Sequence, residues 1–171
     1  QSGDDAVLSS MNRDYSSGYY RELALRLCES LPGLALGTDV MAGFPGESED
    51  NFANTAEFIK ALPFAYLHVF PYSDRPGTAA AAMKGKVRAD VKNRRAALLR
   101  DLGREKREMF AGRFTGRELS VLVEGARDRE TGHLKGFSEN YVPVLVCNAG
   151  VGHVNRVVAV RAESACGGKI T

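Results

Sequence analysis

Two short apolar stretches separated by one amphipathic helix restrict the fold of this chain more than any other feature. Residues 34–44 are apolar and β-compatible and run into Pro45-Gly46, and residues 65–71 (AYLHVFP) return as a second apolar strand. Between them, Ser48 can cap a helix whose first turn holds Glu49 and Asp50, the charge sign that a helix N-terminus favours. That helix buries Phe52, Phe58, Ile59 and Leu62. A strand that returns through a single crossover helix runs parallel to the first, so this part of the chain is read as α/β with parallel strands. An earlier helix is expected over residues 19–31, where Tyr20, Leu23, Leu27 and Leu31 recur near the helical period before Pro32-Gly33 breaks it.

Beyond Arg113 the pattern changes. Residues 118–124 (ELSVLVE) alternate with Leu119, Val121 and Val123 on one face, and residues 141–147 and 153–161 also read as strands between Gly-, Asn- and Asp-bearing turns. Short strands at this spacing predict a small all-β antiparallel barrel. The boundary is placed near Gly112, giving residues 1–111 and 112–171. With 171 residues, 44% hydrophobic and 26% charged, the chain has room for one large domain or two small ones.

The longest helical candidate, residues 88–111, joins the two parts. Val91, Leu98, Leu102 and Met109 predict one apolar stripe on it, with the arginines outside. Lys84, Lys86, Arg88, Lys92, Arg94, Arg95, Arg100, Arg104, Lys106, Arg107, Arg113 and Arg117 face only Asp90, Asp101, Glu105 and Glu108 over this stretch, although the whole chain carries a net charge of only +2. Such an excess is either a solvated helix face or a footprint for nucleic-acid phosphates.

Several classes fall away. No apolar run approaches the roughly 20 residues of a membrane-spanning helix, and the first residues lack the basic start and apolar centre of a signal peptide. A start at Gln1 with no initiator Met is expected of a piece of something longer. Cys28, Cys147 and Cys166 are odd in number and widely spaced, which fits neither a disulfide framework nor a C-x-x-C ligand set. They are read as reduced thiols in a cytoplasmic protein, with Cys28 packed among Leu23, Leu27 and Leu31. His68 is read as pointing into a barrel or as a satisfied core residue, while His133 and His153 fall in turns. No third ligand stands at usable spacing, so no metal site is expected. Asp39 and Glu47 could line a barrel, but neither makes an acid–base pair, and no catalytic set is found in this chain.

Two loops remain. Gly43-Phe44-Pro45-Gly46-Glu47-Ser48 follows the first parallel strand, at the end where α/β barrels place their active sites, and its glycines allow backbone to approach a flat ligand. Tyr72-Ser73-Asp74-Arg75-Pro76-Gly77-Thr78 follows the second strand and should open on the same rim. Arg75 is its natural anion or base contact, with a surface salt bridge as the alternative.

Taken in order, QSGDDAVLSSMNRDYS (residues 1–16), TDVMAGFPGESEDNF (38–52) and LHVFPYSDRPGT (67–78) resemble consecutive stretches of the radical-SAM tRNA methylthiotransferases, the MiaB-like family. GRELSVLVE (116–124) and GHLKGFSENYVPV (132–144) are similar to the TRAM domain that ends those enzymes. Relatives that modify a ribosomal protein tend to carry acidic residues where this chain has Arg75-Pro76. LHVFPYS and GFSENYV look most like the branch acting on threonylcarbamoyladenosine beside the anticodon, with the isopentenyladenosine branch as the alternative. A stand-alone, non-catalytic tRNA-binding module is the alternative of another class. Two departures stand out: Ala79 replaces the Pro that usually follows Gly-Thr, and residues 163–171 match nothing and are expected to be disordered.

The resemblance implies the C-terminal portion of a radical-SAM (βα) barrel followed by a TRAM, OB-like RNA-binding barrel. It implies S-adenosylmethionine and two 4Fe-4S clusters, one of them reducing S-adenosylmethionine to a radical that abstracts hydrogen from carbon two of adenine. The cluster cysteines are absent from this chain, which alone should therefore be inactive. By position, Val40, Met41, Gly43, Phe44, Pro45 and Phe70 are the expected cofactor side. Arg75, Thr78, Arg94, Arg95, Lys135 and Phe137 are the expected tRNA side, against the anticodon stem-loop. Either Phe137 or Tyr141 could stack on a base, although Tyr141 is read as a core residue starting a strand. A part-barrel also exposes strand edges, through which a homo-dimer is expected.

Overall fold

Ser48 begins its helix as the sequence leads one to expect. Its Oγ accepts the Asn51 N–H at 3.1 Å, and Asn51 Oδ1 accepts the Ser48 N–H at 2.9 Å, so two otherwise orphaned amides at the helix start are satisfied reciprocally. In the computed structural model, which describes residues 1–171, this helix is the crossover between two parallel strands. The chain divides into two units, Gln1–Gly103 and Arg104–Thr171.

The first unit holds α1 (Asp5–Ser10), α2 (Ser17–Ser30), β1 (Gly37–Ala42), α3 (Glu49–Ala61), β2 (Tyr66–Pro71) and α4 (Ala79–Ala82). The division falls within α5 (Ala89–Gly112). β1 and β2 pair in parallel, with Gly37 opposite Tyr66 and Ala42 opposite Pro71. Side chains alternate across a strand, so register fixes two faces. Val40, Ala42 and Leu67 join Ala24 of α2, Phe52, Phe58 and Ile59 of α3 with Leu62 just after it, and Ala96 and Leu99 of α5 in one buried cluster. On the opposite face Asp39, His68 and Phe70 are exposed. Where a partial barrel was expected, this unit holds a two-stranded parallel sheet packed against helices, and no closed barrel forms. His68 is not a core residue: it is exposed and meets the Tyr66 ring edge-on at 5.3 Å.

α1 escaped the sequence reading because it is short. Asp4 caps it by accepting the Val7 N–H at 3.1 Å and is tied to α3 through Asn54 Nδ2 at 2.8 Å. Burial pushes the Asp4 carboxyl up, but hydrogen bonds from Asn54, Asn51 and the Val7 and Ala6 amides outweigh it and hold the group below the usual carboxylate range.

The stripe expected on α5 does not face inward. Leu98 is 52% and Met109 70% exposed, whereas Arg95, Ala96, Leu99, Gly103, Lys106 and Phe110 are buried. The inward face is set at 3- and 4-residue steps through positions that include two cations, which an apolar-only pattern skips.

In the second unit six strands follow: β3 (Glu118–Arg127), β4 (Leu134–Ser138), β5 (Pro143–Val146), β6 (Val157–Arg161), β7 (Ala165–Cys166) and β8 (Lys169–Ile170). Their order is β6-β3-β4-β5-β8-β7. All neighbours are antiparallel except β5 and β8, which pair in parallel through Val144 and Ile170, so the sheet is mixed where a purely antiparallel one was expected. Leu119, Val121, Val123, Leu134 and Val144 fill the inner face. The tail is ordered: Ile170 is fully buried, and Lys169 Nζ stands 3.6 Å from Asp128. Tyr141 is no strand residue. It sits in a turn with φ 60° and is 81% exposed.

β4 has no apolar alternation to betray it because Gly136 and Ser138 occupy its inward positions. A Cβ at Gly136 would lie 2.6 Å from the Leu122 backbone oxygen and 2.7 Å from Val121 Cγ1. Gly136→Ala should therefore cost about 1–3 kcal/mol, read as a lower denaturant midpoint for this unit. An unchanged midpoint would mean that β3 and β4 are not held this close.

Candidate functional site

Both loops leave the same end of the parallel pair. In the first, Gly43 and Gly46 adopt φ values of +78° and +85°, which let the chain turn back tightly. The Glu47 carboxylate folds inward and does not line an open rim. Its Oε1 accepts the Gly43 N–H at 2.9 Å and Arg95 Nη1 at 2.7 Å. Arg95 Nη1 also donates to the Glu47 carbonyl at 3.1 Å, and Nη2 donates to Glu49 Oε2 at 2.7 Å. Glu47 and Arg95 side chains are 2% and 4% exposed. Burial pushes the Glu47 carboxyl above the usual carboxylate range, with the Gly43 amide and Arg95 pulling it back. Arg95 holds the carboxyl of exposed Glu49 below that range.

The second loop is clamped by two lysines. Tyr72 OH donates to Asp74 Oδ1 at 2.8 Å, Lys86 Nζ reaches the same carboxylate and also donates to the Ala80 carbonyl at 2.7 Å, and Lys92 Nζ donates to the Tyr72 carbonyl at 3.0 Å. Both ammonium groups lie within 6 Å of the Tyr72 ring centroid, at 5.2 and 5.7 Å. The Lys86 hydrogen bond, supported by Tyr72, holds the Asp74 carboxyl low. Phe44 of the first loop meets Tyr72 of the second edge-to-face at 5.4 Å, in a small cluster with Val7. Above this floor, Arg75 is exposed and enters no ion pair, while Thr78 donates to the Arg75 carbonyl at 2.8 Å and caps α4.

The expected residues separate accordingly. Met41 and Phe70 lie on the open face, Phe70 being 49% exposed, and Gly43, Phe44 and Pro45 form the buried body of the first loop. Val40 does not join them; it points into the helix-facing cluster at 2% exposure. Arg95 is withdrawn from any surface at 3% exposure, and Arg94 is exposed but paired with Glu49 at 3.1 Å. Lys135 and Phe137 belong to the second unit, where Phe137 is 39% exposed and lies beside Leu122, itself opposite Val157. Lys86 and Lys92 were missed. The signal for Lys92 is its spacing from Arg95 on one face of α5, hidden among the many neighbouring cations; Lys86, ahead of that helix, has none.

Phe70, Met41 and the exposed side of Gly46, whose amide donates to the Gly85 carbonyl at 2.9 Å but where an added Cβ would meet nothing within 4 Å, fit one side of a flat, partly apolar ligand such as an adenosine. The thiols do not fit an iron–sulfur cluster. Cys147 and Cys166 are exposed, Cys28 is half-buried, and no group of three His, Cys, Asp or Glu side chains is placed to hold a metal ion.

No protein-family model matches the sequence. Individual relatives do. The chain is 42% identical over 123 residues, 72% of its length, to threonylcarbamoyladenosine tRNA methylthiotransferase MtaB of Aquifex aeolicus, and 39% identical over 147 residues to the Bacillus subtilis protein of that name. It is 36% identical over 146 residues to tRNA-2-methylthio-N(6)-dimethylallyladenosine synthase of Bartonella henselae. The chain belongs to the MiaB-like tRNA methylthiotransferase family. Within that family its likeness is to the MtaB branch. The matched regions take in 30%, 33% and 32% of those relatives, so the chain spans about a third of the length of the methylthiotransferases it matches. No helix is long and apolar enough to cross a membrane.

Proposed function

We propose that this chain is part of a transferase that methylthiolates carbon two of threonylcarbamoyladenosine beside the tRNA anticodon. The observation that carries this reading is the pairing of two structured loops at one end of a parallel sheet with 42% identity to a relative named for that reaction. On this reading the first loop, with Met41, Gly43, Phe44, Pro45 and Phe70, takes the cofactor side, and Arg75, projecting from a loop braced beneath it, takes the tRNA side. S-adenosylmethionine, when bound, supplies the radical chemistry and the methyl group. The chain's own part is to hold adenosine against the open face and to exclude water there through Phe44, Tyr72 and Met41. Ligands for two 4Fe-4S clusters would come from outside these residues, so the chain alone binds RNA without turning over.

The second unit is read as a TRAM domain. Its outward row of Val157, Leu122 and Phe137, with Lys135 alongside and Tyr141 projecting from a strained turn, offers stacking and phosphate contacts to an anticodon stem-loop. The outer edge of β2, which has only β1 for a neighbour, is the feature that supports a homo-dimer.

Mass spectrometry of tRNA nucleosides from cells lacking the full-length parent tests the reading. Loss of the methylthio form of threonylcarbamoyladenosine is the expected result. Loss of the dimethylallyl counterpart would move the substrate to the other branch, and no change in either nucleoside would sink the assignment.

A further inference from the structure

We propose that Arg95 is a positioning residue that fixes the backbone of the first loop for S-adenosylmethionine, an inference that rests on reading that loop as the cofactor side. Arg95 cannot touch a ligand itself, being 3% exposed with both Nη atoms committed. It acts through Glu47. One guanidinium nitrogen binds both the carbonyl and the carboxylate of that residue, and the same carboxylate oxygen receives the Gly43 amide. The chain of contacts therefore runs from α5 to the amide at the first glycine of the loop. The second nitrogen pins Glu49, in the first turn of α3, so the fork spans the whole loop from Gly43 to the helix it opens.

The arrangement is more than a convenient ion pair. Arg95 Nε is buried with no hydrogen-bond partner, a cost the site carries in order to place the two Nη atoms on two carboxylates. One turn earlier on the same helix, the Lys92 stem occupies the space a Cβ at Gly43 would need, with Cγ 2.2 Å from it. α5 thus presses on the loop at Gly43 and pulls on it at Glu47. A planar fork can hold both carboxylates at once, whereas a lysine ammonium in the same place would reach one.

The test uses the full-length parent with its clusters in place. Arg95→Lys should weaken S-adenosylmethionine about tenfold, as misplacement of a binding backbone does, and should speed amide exchange over residues 43–48, with tRNA affinity within twofold of the parent. Glu49→Gln, a change at an exposed carboxylate, should weaken S-adenosylmethionine about threefold and decides the matter if Arg95→Lys does not fold. S-adenosylmethionine affinity unchanged in the folded Arg95→Lys protein, or in Glu49→Gln where that variant decides, overturns the proposal. A separate arm guards the underlying reading. In the parent itself, S-adenosylmethionine should slow exchange over residues 43–48, and absence of that protection removes the cofactor assignment of the loop whatever Arg95 does.

Discussion

Glu47→Ala should lower the unfolding free energy of the first unit by about 3 kcal/mol, toward the low end of what breaking a buried ion pair costs. The loss has two parts: the Gly43 amide is left without its acceptor, and Arg95 keeps only the backbone carbonyl of residue 47 and the exposed Glu49 as partners. Retention of that second carboxylate is what keeps the figure from being larger. Glu47→Gln should cost much less, because an amide oxygen can still accept from Gly43 and Arg95. The two variants also separate in acid. Burial raises the Glu47 pKa in the folded state, so the native protein binds this proton more readily than the unfolded chain. The contribution of Glu47 to stability is therefore greatest below its unfolded pKa of about 4.3 and falls as pH rises through the folded value. Glu47→Gln should abolish that fall, so the difference between parent and variant should change across this window and be flat above it. Asp4, whose pKa is lowered, runs the other way, its contribution being lost as pH drops through its folded value. Urea titrations at stepped pH read both trends, and a Glu47→Ala protein as stable as the parent would mean that the ion pair does not hold the loop.

Binding of a tRNA anticodon stem-loop should weaken about a thousandfold between 50 and 200 mM salt if about six cations engage phosphates. The structure reduces the cations that could serve. Arg95 and Lys106 are buried, Lys86, Arg88 and Arg94 are paired with carboxylates, and Lys92 is turned onto the Tyr72 carbonyl. Lys84, Arg100, Arg107, Arg113 and Arg117 are exposed. Substituting Arg100 or Arg107 by Gln should therefore reduce the slope of log K against log salt by about one phosphate's worth, whereas Arg94→Gln should leave it almost unchanged. Affinity insensitive to salt, or an equal effect from Arg94, would overturn the electrostatic account.

The crossover unit was legible because its signals are local. Ser48 followed by Glu49 and Asp50, and glycines at both breaks, say the same thing at every level. What failed were inferences that depend on which partner a side chain meets. Arg95 reads as one more surface cation until Glu47 of the first loop and Glu49 at the start of α3 are brought to it, and Val40 reads as rim until the register turns it toward the helices. Leu98 and Met109 form a tidy stripe on paper but lie outside, since two cations take the inward positions. Tyr141 reads as the first residue of a strand, yet it sits in a turn with left-handed backbone. The tail of the chain resembled nothing, and its order comes from Ile170 filling a place beside Val144 that no local pattern announces.

The Lys92 stem against Gly43 also bears on how such a sequence can drift. A side chain at Gly43 would strain the left-handed turn there and would also require Lys92 to be shortened, and shortening Lys92 releases the Tyr72 carbonyl of the other loop. Neither substitution is neutral on its own, so the two positions are expected to change together or not at all. A glycine and a lysine 49 positions apart in the chain thus behave, for inheritance, as a single locus.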